Sequence, residues 1–275
     1  MSASKLHADD TPVPVLAPGN GRTKTGWLWT YVRDDRPSGD TTAPAVWFAF
    51  SPDRKGEHPR QHLKLYQGAL QADAYAGFHH LYERGAIYEV ACWAHTRRKF
   101  HEIHIAHPSP TTTEAIERIA AFYAIEAEIR GSTAEVRKTV RQARTKPLLD
   151  SMHIWLEAAL TKLSRKSDTT AAIRYALSRW PALTRYVDDG ALEIDNNASE
   201  RALRVVALGR KNFLFAGSNA GGDVPQPSTR CSALPSSTGS AQRSISSTSS
   251  NASPTTQSAG STNSCPGTYR PPSQS

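Results

Sequence analysis

The chain has 275 residues, a net charge of +8 and 38% hydrophobic residues. This length allows one large domain or two modest ones, and the basic charge favours a polyanionic partner. Cys92, Cys231 and Cys265 provide no disulfide framework, which fits a reducing cytoplasm. The sequence has no signal-peptide pattern and no apolar run near the roughly 20 residues that a membrane-spanning helix needs. We therefore expect a soluble cytoplasmic protein with no membrane partner.

Short apolar segments separated by turn residues fill the first hundred residues. Residues 12–16, 26–32 and 45–50 predict three consecutive strands in an antiparallel meander. A short helix is predicted at residues 59–67, a fourth strand at 68–72 and a helical segment at 79–84. A fifth strand at 87–93 and a basic helix at 94–104 complete this part of the chain.

From residue 111 to residue 186, apolar side chains recur at helical spacing and predict a block of three or four helices. After Gly190, residues 191–195 form a short segment that leads to another helix near Ala198. Ser, Thr, Pro, Gly and Gln then dominate residues 223–275. We expect this tail to be disordered, because it buries too little apolar surface to offset the entropy lost on ordering.

Acidic residues on three separate elements form a candidate site. Asp9 lies at the first predicted strand, Asp73 ends the fourth strand, and Glu200 opens the last predicted helix. Two-metal phosphodiester chemistry needs carboxylates that converge on two divalent ions roughly 3.5–4 Å apart, and Mg²⁺ or Mn²⁺ prefers such ligands. The chain has 25 acidic residues, so spacing alone also allows ordinary solvated acids or helix caps, such as Asp195 or Asn196.

Several longer runs resemble the insertion-sequence-sixty-six family of DDE transposases. They are residues 8–13 (ADDTPV), 70–78 (LQADAYAGF), 92–100 (CWAHTRRKF), 194–202 (IDNNASERA) and 209–218 (GRKNFLFAGS). The resemblance extends from about residue 6 to residue 222. Asp10 stands where the family often has Glu, and Ala74 stands where Gly is common.

The resemblance implies an α/β fold: an RNase H-like mixed sheet with flanking helices and an all-helical insertion between the second and third acids. It assigns residues 1–110 to the first part of the catalytic core, 111–190 to the insertion, 191–222 to the end of the core and 223–275 to the disordered tail. It further implies a bacterial, nucleoid-associated enzyme that cleaves and transfers DNA strands at transposon ends. Asp9, Asp73 and Glu200 would be its catalytic residues and would hold two Mg²⁺ or Mn²⁺ ions. Its implied partners are transposon-end DNA, target DNA, further copies of itself and companion proteins of the same element.

Basic and polar side chains near the acids are candidate DNA contacts. They are His95, Arg97, Arg98, Lys99, Asn197, Arg201, Arg204, Arg210 and Lys211. Arg201 and Arg204 are three residues apart and would share a helix face. Contacts of this kind go to the DNA backbone and carry little sequence information. An ordinary solvated basic surface is the alternative interpretation.

Other features leave alternatives open. Cys92 and His95 have a zinc-like spacing, but a tetrahedral site needs a second pair of ligands that the sequence does not offer. Only eight residues precede Asp9, and after residue 222 the chain departs from the family pattern, where a shifted reading frame could restore a family-like helix. We therefore expect a truncated start and a frameshifted tail. The alternative function is a non-catalytic relic that binds DNA non-specifically, and a helical interaction protein is a weaker third hypothesis.

Overall fold

The computed structural model describes residues 3–17, 21–83 and 85–209. The predicted tail and the candidate contacts Arg210 and Lys211 lie outside these residues. No helix within the described ranges has both the length and the apolar composition that crossing a membrane requires.

A five-stranded mixed sheet organises this part of the chain. Its strands are β1 (Lys5–Val15), β2 (Lys24–Arg33), β3 (Ala45–Ser51), β4 (Gly68–Gln71) and β5 (Ile87–Val90). The spatial order is β3-β2-β1-β4-β5. β1, β2 and β3 pair antiparallel, whereas β4 pairs parallel with both β1 and β5. The predicted meander is therefore confirmed, and two parallel strands extend it on the other side of β1.

Helices account for most of the remaining described chain. They are α1 (Glu57–His62), α2 (His79–Tyr82), α3 (Trp93–Ala106), α4 (Pro110–Ile129), α5 (Ala134–Val140), α6 (Lys146–Lys162), α7 (Asp168–Ser178), α8 (Trp180–Thr184) and α9 (Asn197–Gly209). A π-helical turn, Arg141–Thr145, joins α5 to α6. N-capping side chains explain where two of these helices begin. The Ser109 side chain accepts a hydrogen bond from Thr112 N before α4, and the Ser167 side chain accepts one from Thr170 N before α7.

Three predicted elements differ from the structure by more than two residues at one boundary. β1 begins at Lys5 rather than at residue 12, because polar side chains inside the strand conceal its alternation. β5 ends at Val90, and the predicted last strand residue, Trp93, is the first residue of α3. α1 covers Glu57–His62 and ends well before residue 67.

The sheet presents two faces, because successive strand residues point to opposite sides. We call the side of Leu6, Ala8 and Asp10 the first face and the side of His7 and Asp9 the second face. The first face packs in one hydrophobic cluster that includes Trp29, Tyr31, Leu63, Tyr66, Leu70, Phe78 and Leu81. On the second face, Ala69 and Val90 join a larger cluster with Trp93, Phe100, Phe122, Met152, Ile173 and Leu183 from the helices. α9 contacts β1 and β2.

Candidate active site

Parallel pairing of β1 with β4 places Asp9, inside the central strand β1, level with the end of β4, which Asp73 follows. The register places His7 opposite Gln71. Asp9 and Asp73 each lie two residues further along the chain, so both belong to the second face. Asp73 follows the end of β4 and accepts a hydrogen bond at Oδ1 from Tyr75 N at 3.0 Å.

The third acid, Glu200, lies in the first turn of α9. Its Oε1 atom is 3.7 Å from Arg98 Nη2 and 4.0 Å from His95 Nε2. α9 contacts β1, and the charge of Glu200 contributes to the raised pKa of Asp9 in that strand. Negative charge near a helix N-terminus is also favourable, since the backbone N–H groups of the first turn point towards it.

The pKa of Asp9 reports the proximity of the three acids. Burial raises this pKa from its ordinary 3.8 to about 7, and the hydrogen bond from Asp10 N opposes the rise. The negative charges of Asp73, Asp10 and Glu200 raise the pKa further. A cation beside this carboxylate stabilises its charged form, because the positive charge offsets both the cost of burial and the repulsion from the neighbouring acids.

Asp10 has a different environment, although it is the next residue in β1. It points to the first face, where Arg54 donates to its Oδ2 from Nε at 2.8 Å and to its Oδ1 from Nη2 at 2.9 Å. The Arg54 guanidinium lies 4.1 Å from the ring centre of Tyr75 and 4.9 Å from that of Trp27. Asp10 is therefore compensated by a planar two-bond ion pair, whereas no basic side chain of the described residues forms such a pair with Asp9.

A cavity of about 480 Å³ opens beside Asp73. Its wall consists of Arg54, Asp73, Ala74, Tyr75, Ala76, His95, Arg98, Lys99, Glu102 and Tyr175. The α3 residues His95, Arg98, Lys99 and Glu102 follow the spacing of a single helix face. Lys99 Nζ also lies 4.5 Å from the ring centre of Tyr175 on α7. The charged residues of the cavity wall are thus Asp73 and Glu102 on the acidic side and Arg54, Arg98 and Lys99 on the basic side, and Asp73 is the one of the three candidate acids that lines it.

The other predicted DNA contacts are distributed differently. Arg97 is exposed and does not belong to the cavity wall, since it lies on a different side of α3. Arg204 is exposed as well. Asn197 and Arg201 line a second cavity of about 260 Å³. The Asn197 side chain donates from Nδ2 to Asp195 Oδ2 at 2.7 Å, so part of its hydrogen-bonding capacity is used locally.

The three acids offer the oxygen donors that hard divalent cations prefer. They do not form a closed cage, because their ligand atoms do not all lie within 4.8 Å of one another. Within the described residues that distance is met by a different group, Asp53, Glu57 and His58. Lys55 Nζ lies 3.2 Å from Asp53 Oδ2, so a lysine already balances part of that group's charge. The second group therefore meets the donor spacing of a cation site, whereas the three acids consist of carboxylates alone, the donors that Mg²⁺ prefers.

Cys92, which has a zinc-like spacing to His95, has a structural role. Cys92 is buried, and burial raises the pKa of its thiol to about 12. Its Sγ accepts a hydrogen bond from Asn196 N at 3.2 Å. Zinc binds the thiolate, so a thiol held protonated in this way is a poor ligand.

Sequence reasoning missed several residues at this site. Arg54, Tyr75, Glu102 and Tyr175 line the cavity, and none was a candidate. The paired acids at positions 9 and 10 were a signal that one of them needs a basic partner, but no local pattern indicates Arg54, which is 44 residues away. Tyr175 lies within the predicted helical block, where its spacing alone does not distinguish a cavity residue from a packing residue.

The fold and the site define a mixed α/β protein with an acidic cluster beside a basic cavity. Residues 1–224 match the family described as Transposase IS66 family. The chain belongs to this family, which confirms the resemblance noted in the sequence.

Three curated relatives from Sinorhizobium fredii (strain NBRC 101917 / NGR234) are similar to the chain. Uncharacterized protein y4hP is 43% identical over 239 residues, which cover 81% of this chain and 43% of the relative. Uncharacterized protein y4qI is 42% identical over 225 residues, covering 79% and 42% respectively. Uncharacterized protein y4jD is 36% identical over 229 residues, covering 81% and 45%. The chain thus spans less than half the length of these relatives. No solved structure matches the chain.

Proposed function

We propose that the chain carries the metal-dependent catalytic core of a DDE-type DNA transposase, which cleaves and transfers DNA strands at transposon ends. One observation carries this proposal: Asp9 in β1, Asp73 after the end of β4 and Glu200 in α9 lie near enough to one another that the charges of Asp73 and Glu200 add to the burial that raises the Asp9 pKa to about 7. Acids that converge from separate elements and repel one another are the arrangement that two-metal phosphodiester chemistry requires.

The same proposal extends to the fold. The mixed sheet with α3 and α9 would be the RNase H-like core, and residues 111–190 would be its helical insertion. Two observations support this division: α4 to α8 lie between Asp73 and Glu200 in the chain, and they pack mainly in the cluster on the second face. Within the proposed end of the core, residues 191–222, the described part up to residue 209 would return the chain to the core and complete the acidic site.

Each group in the site has a distinct part in the proposed reaction. Asp9, Asp73 and Glu200 would hold Mg²⁺ or Mn²⁺, and these cations would supply activation of the attacking oxygen and stabilisation of the leaving oxygen. Arg98 and Lys99 bind the DNA backbone by charge, with salt-dependent affinity and little sequence preference.

Arg54 and Glu200 shape the charge of the site. Arg54 keeps the Asp10 carboxylate paired on the first face, so that Asp10 does not compete with the three acids for the cation. Arg98 lies close to Glu200, and DNA binding would draw this arginine towards phosphate and free the carboxylate for the cation. Assembly with further copies, target DNA and companion proteins belongs to the whole transposase and is part of the same proposal.

Thermal unfolding with and without Mn²⁺ tests where the cation binds. The parent is compared with Asp73→Asn and with Asp53→Asn, which alters the second group of candidate ligands. A ligand at 100 times its dissociation constant stabilises the fold by about 2.7 kcal/mol, so Mn²⁺ should raise the Tm of the parent and of Asp53→Asn. Asp73→Asn should lose this rise, and it should also abolish Mn²⁺-dependent cleavage of duplex DNA.

Two results would contradict the proposal. A Tm rise that survives in Asp73→Asn but disappears in Asp53→Asn would place the cation at the second group. A folded parent that binds DNA but neither responds to Mn²⁺ nor cleaves DNA would support the non-catalytic alternative.

A further inference from the structure

Segment 191–196 connects the elements that carry the three acids. On the β4 side, Gln71 Nε2 donates to Glu193 O at 2.6 Å. At the start of α3, Trp93 N donates to Ile194 O at 3.1 Å. The segment ends at Asn196, directly before α9. It therefore passes between β4, which leads to Asp73, and the helix that presents Glu200.

The Asn196 side chain extends this connection to β1. Its Nδ2 donates to Ala8 O at 2.8 Å, which orients its Oδ1 towards His7 Nδ1 at 3.1 Å. His7 therefore donates this bond from Nδ1, because an amide oxygen can only accept. Asn196 has no exposed surface, and its backbone N–H donates to Cys92 Sγ at 3.2 Å.

An Asn at this position would normally cap its own helix with its side chain. Here the carboxylate of Asp195 caps the helix in part, because its Oδ1 accepts a hydrogen bond from Asn197 N at 3.1 Å. The backbone oxygen of Asn196 in turn accepts from Ser199 Oγ at 2.9 Å. The Asn196 amide is thereby free to hold β1, while its backbone is fixed to the first turn of α9.

We propose that Asn196 is a positioning residue that sets the separation between Asp9 and Glu200 and thereby the affinity of the site for a divalent cation. It binds β1 one residue before Asp9 and precedes Glu200 by four residues. The inference rests on the proposed function, since it assumes that these acids hold the cation. Residues that orient metal ligands without touching the metal typically change its affinity about 10- to 100-fold when replaced.

Two variants test the role of Asn196. Asn196→Ala removes both side-chain bonds to β1 and should raise the Kd for Mn²⁺ by about 10- to 100-fold. His7→Phe removes one bond and leaves the bond to Ala8, so it should raise the Kd by a smaller factor. This second variant keeps the inference testable if Asn196→Ala does not fold.

A stability-matched control separates positioning from general loosening. Met152 is fully buried, and the buried residues described for its cluster include none from β1 or α9. Met152→Ala should destabilise the fold through a cavity but leave the Mn²⁺ affinity unchanged. Asp9→Ala serves as the control that removes a ligand.

The measurement is Mn²⁺ titration of the full chain, followed by the electron paramagnetic resonance signal of free Mn²⁺. Each variant is titrated at a temperature where its near-ultraviolet circular dichroism shows it folded. We expect parent affinity in Met152→Ala, weaker binding in His7→Phe, much weaker binding in Asn196→Ala and loss of this site in Asp9→Ala.

The remaining outcomes would contradict either the positioning role of Asn196 alone or the proposed function as well. If Asn196→Ala and His7→Phe bind like the parent while Asp9→Ala does not bind, the positioning role is wrong and the proposed function stands. Equal losses in Met152→Ala and Asn196→Ala would mean that any loosening weakens the site, which also overturns the positioning role. If Asp9→Ala binds like the parent, the proposed function fails together with the inference.

Discussion

Glu126→Gln should be one of the most destabilising single changes in the helical part of the chain. Glu126 on α4 accepts two hydrogen bonds of 2.7 Å from Arg141, one from Nε and one from Nη2. The Arg141 side chain is fully buried, and its Nη1 also donates to Tyr186 O at 2.9 Å. The substitution removes the negative charge and leaves this guanidinium in the interior without a compensating carboxylate.

The expected loss is about 3 kcal/mol in the free energy of unfolding. Removing one partner of a buried ion pair costs about 3–5 kcal/mol, because the remaining charge stays desolvated. We expect the lower end of this range, since the amide oxygen of the substituted side chain can still accept one hydrogen bond from Arg141. A domain is stable by only about 5–15 kcal/mol, so such a loss is readily measured.

The same helix provides a matched control. Glu128 pairs with Arg144 in the same way, but the two side chains are 56% and 49% exposed. Exposed pairs contribute about 0–1 kcal/mol, so Glu128→Gln should change the stability by less than about 1 kcal/mol. Urea unfolding of both variants measures the difference. Equal losses would refute the reasoning, because burial could then not be the cause.

Two further predictions concern the sheet and the helical segment. Burial holds the pKa of His7 near 3 in the folded protein, against 6.5 ordinarily, so the unfolded chain binds a proton first as the pH falls. Between about pH 6 and pH 4, the free energy of unfolding of the metal-free protein should therefore fall by roughly 1 kcal/mol per pH unit more than that of a His7→Gln variant. Urea unfolding measures this difference. Parallel plots of the free energy of unfolding against pH for the two proteins would contradict the prediction. Gly190→Ala would place a Cβ against the backbone of Ala134 and should cost about 3 kcal/mol in the same assay. Gly131→Ala, where φ is +83° and the space is open, should cost only about 1 kcal/mol, and a similar cost for both would remove the clash as the cause.

Local signals in the sequence predicted most of the elements. Apolar alternation and turn residues identified the strands that became β2, β3 and β4, and helical spacing identified the block from α4 to α8. These signals work because they report backbone conformation and burial over a few residues. They failed for the start of β1, where Asp9 and Asp10 interrupt the alternation, and for the helical start at Trp93.

The sequence by itself determined which acids are candidates, through the motifs around Asp9, Asp73 and Glu200 and their resemblance to a family. Only the tertiary structure decided their surroundings. It placed Asp9 and Asp10 on opposite faces of the sheet, paired Asp10 with Arg54, and set Asn196 against a strand residue 188 positions away in the chain. No local pattern encodes these partnerships, because they depend on strand order and register, and strand register is fixed by packing across the whole sheet.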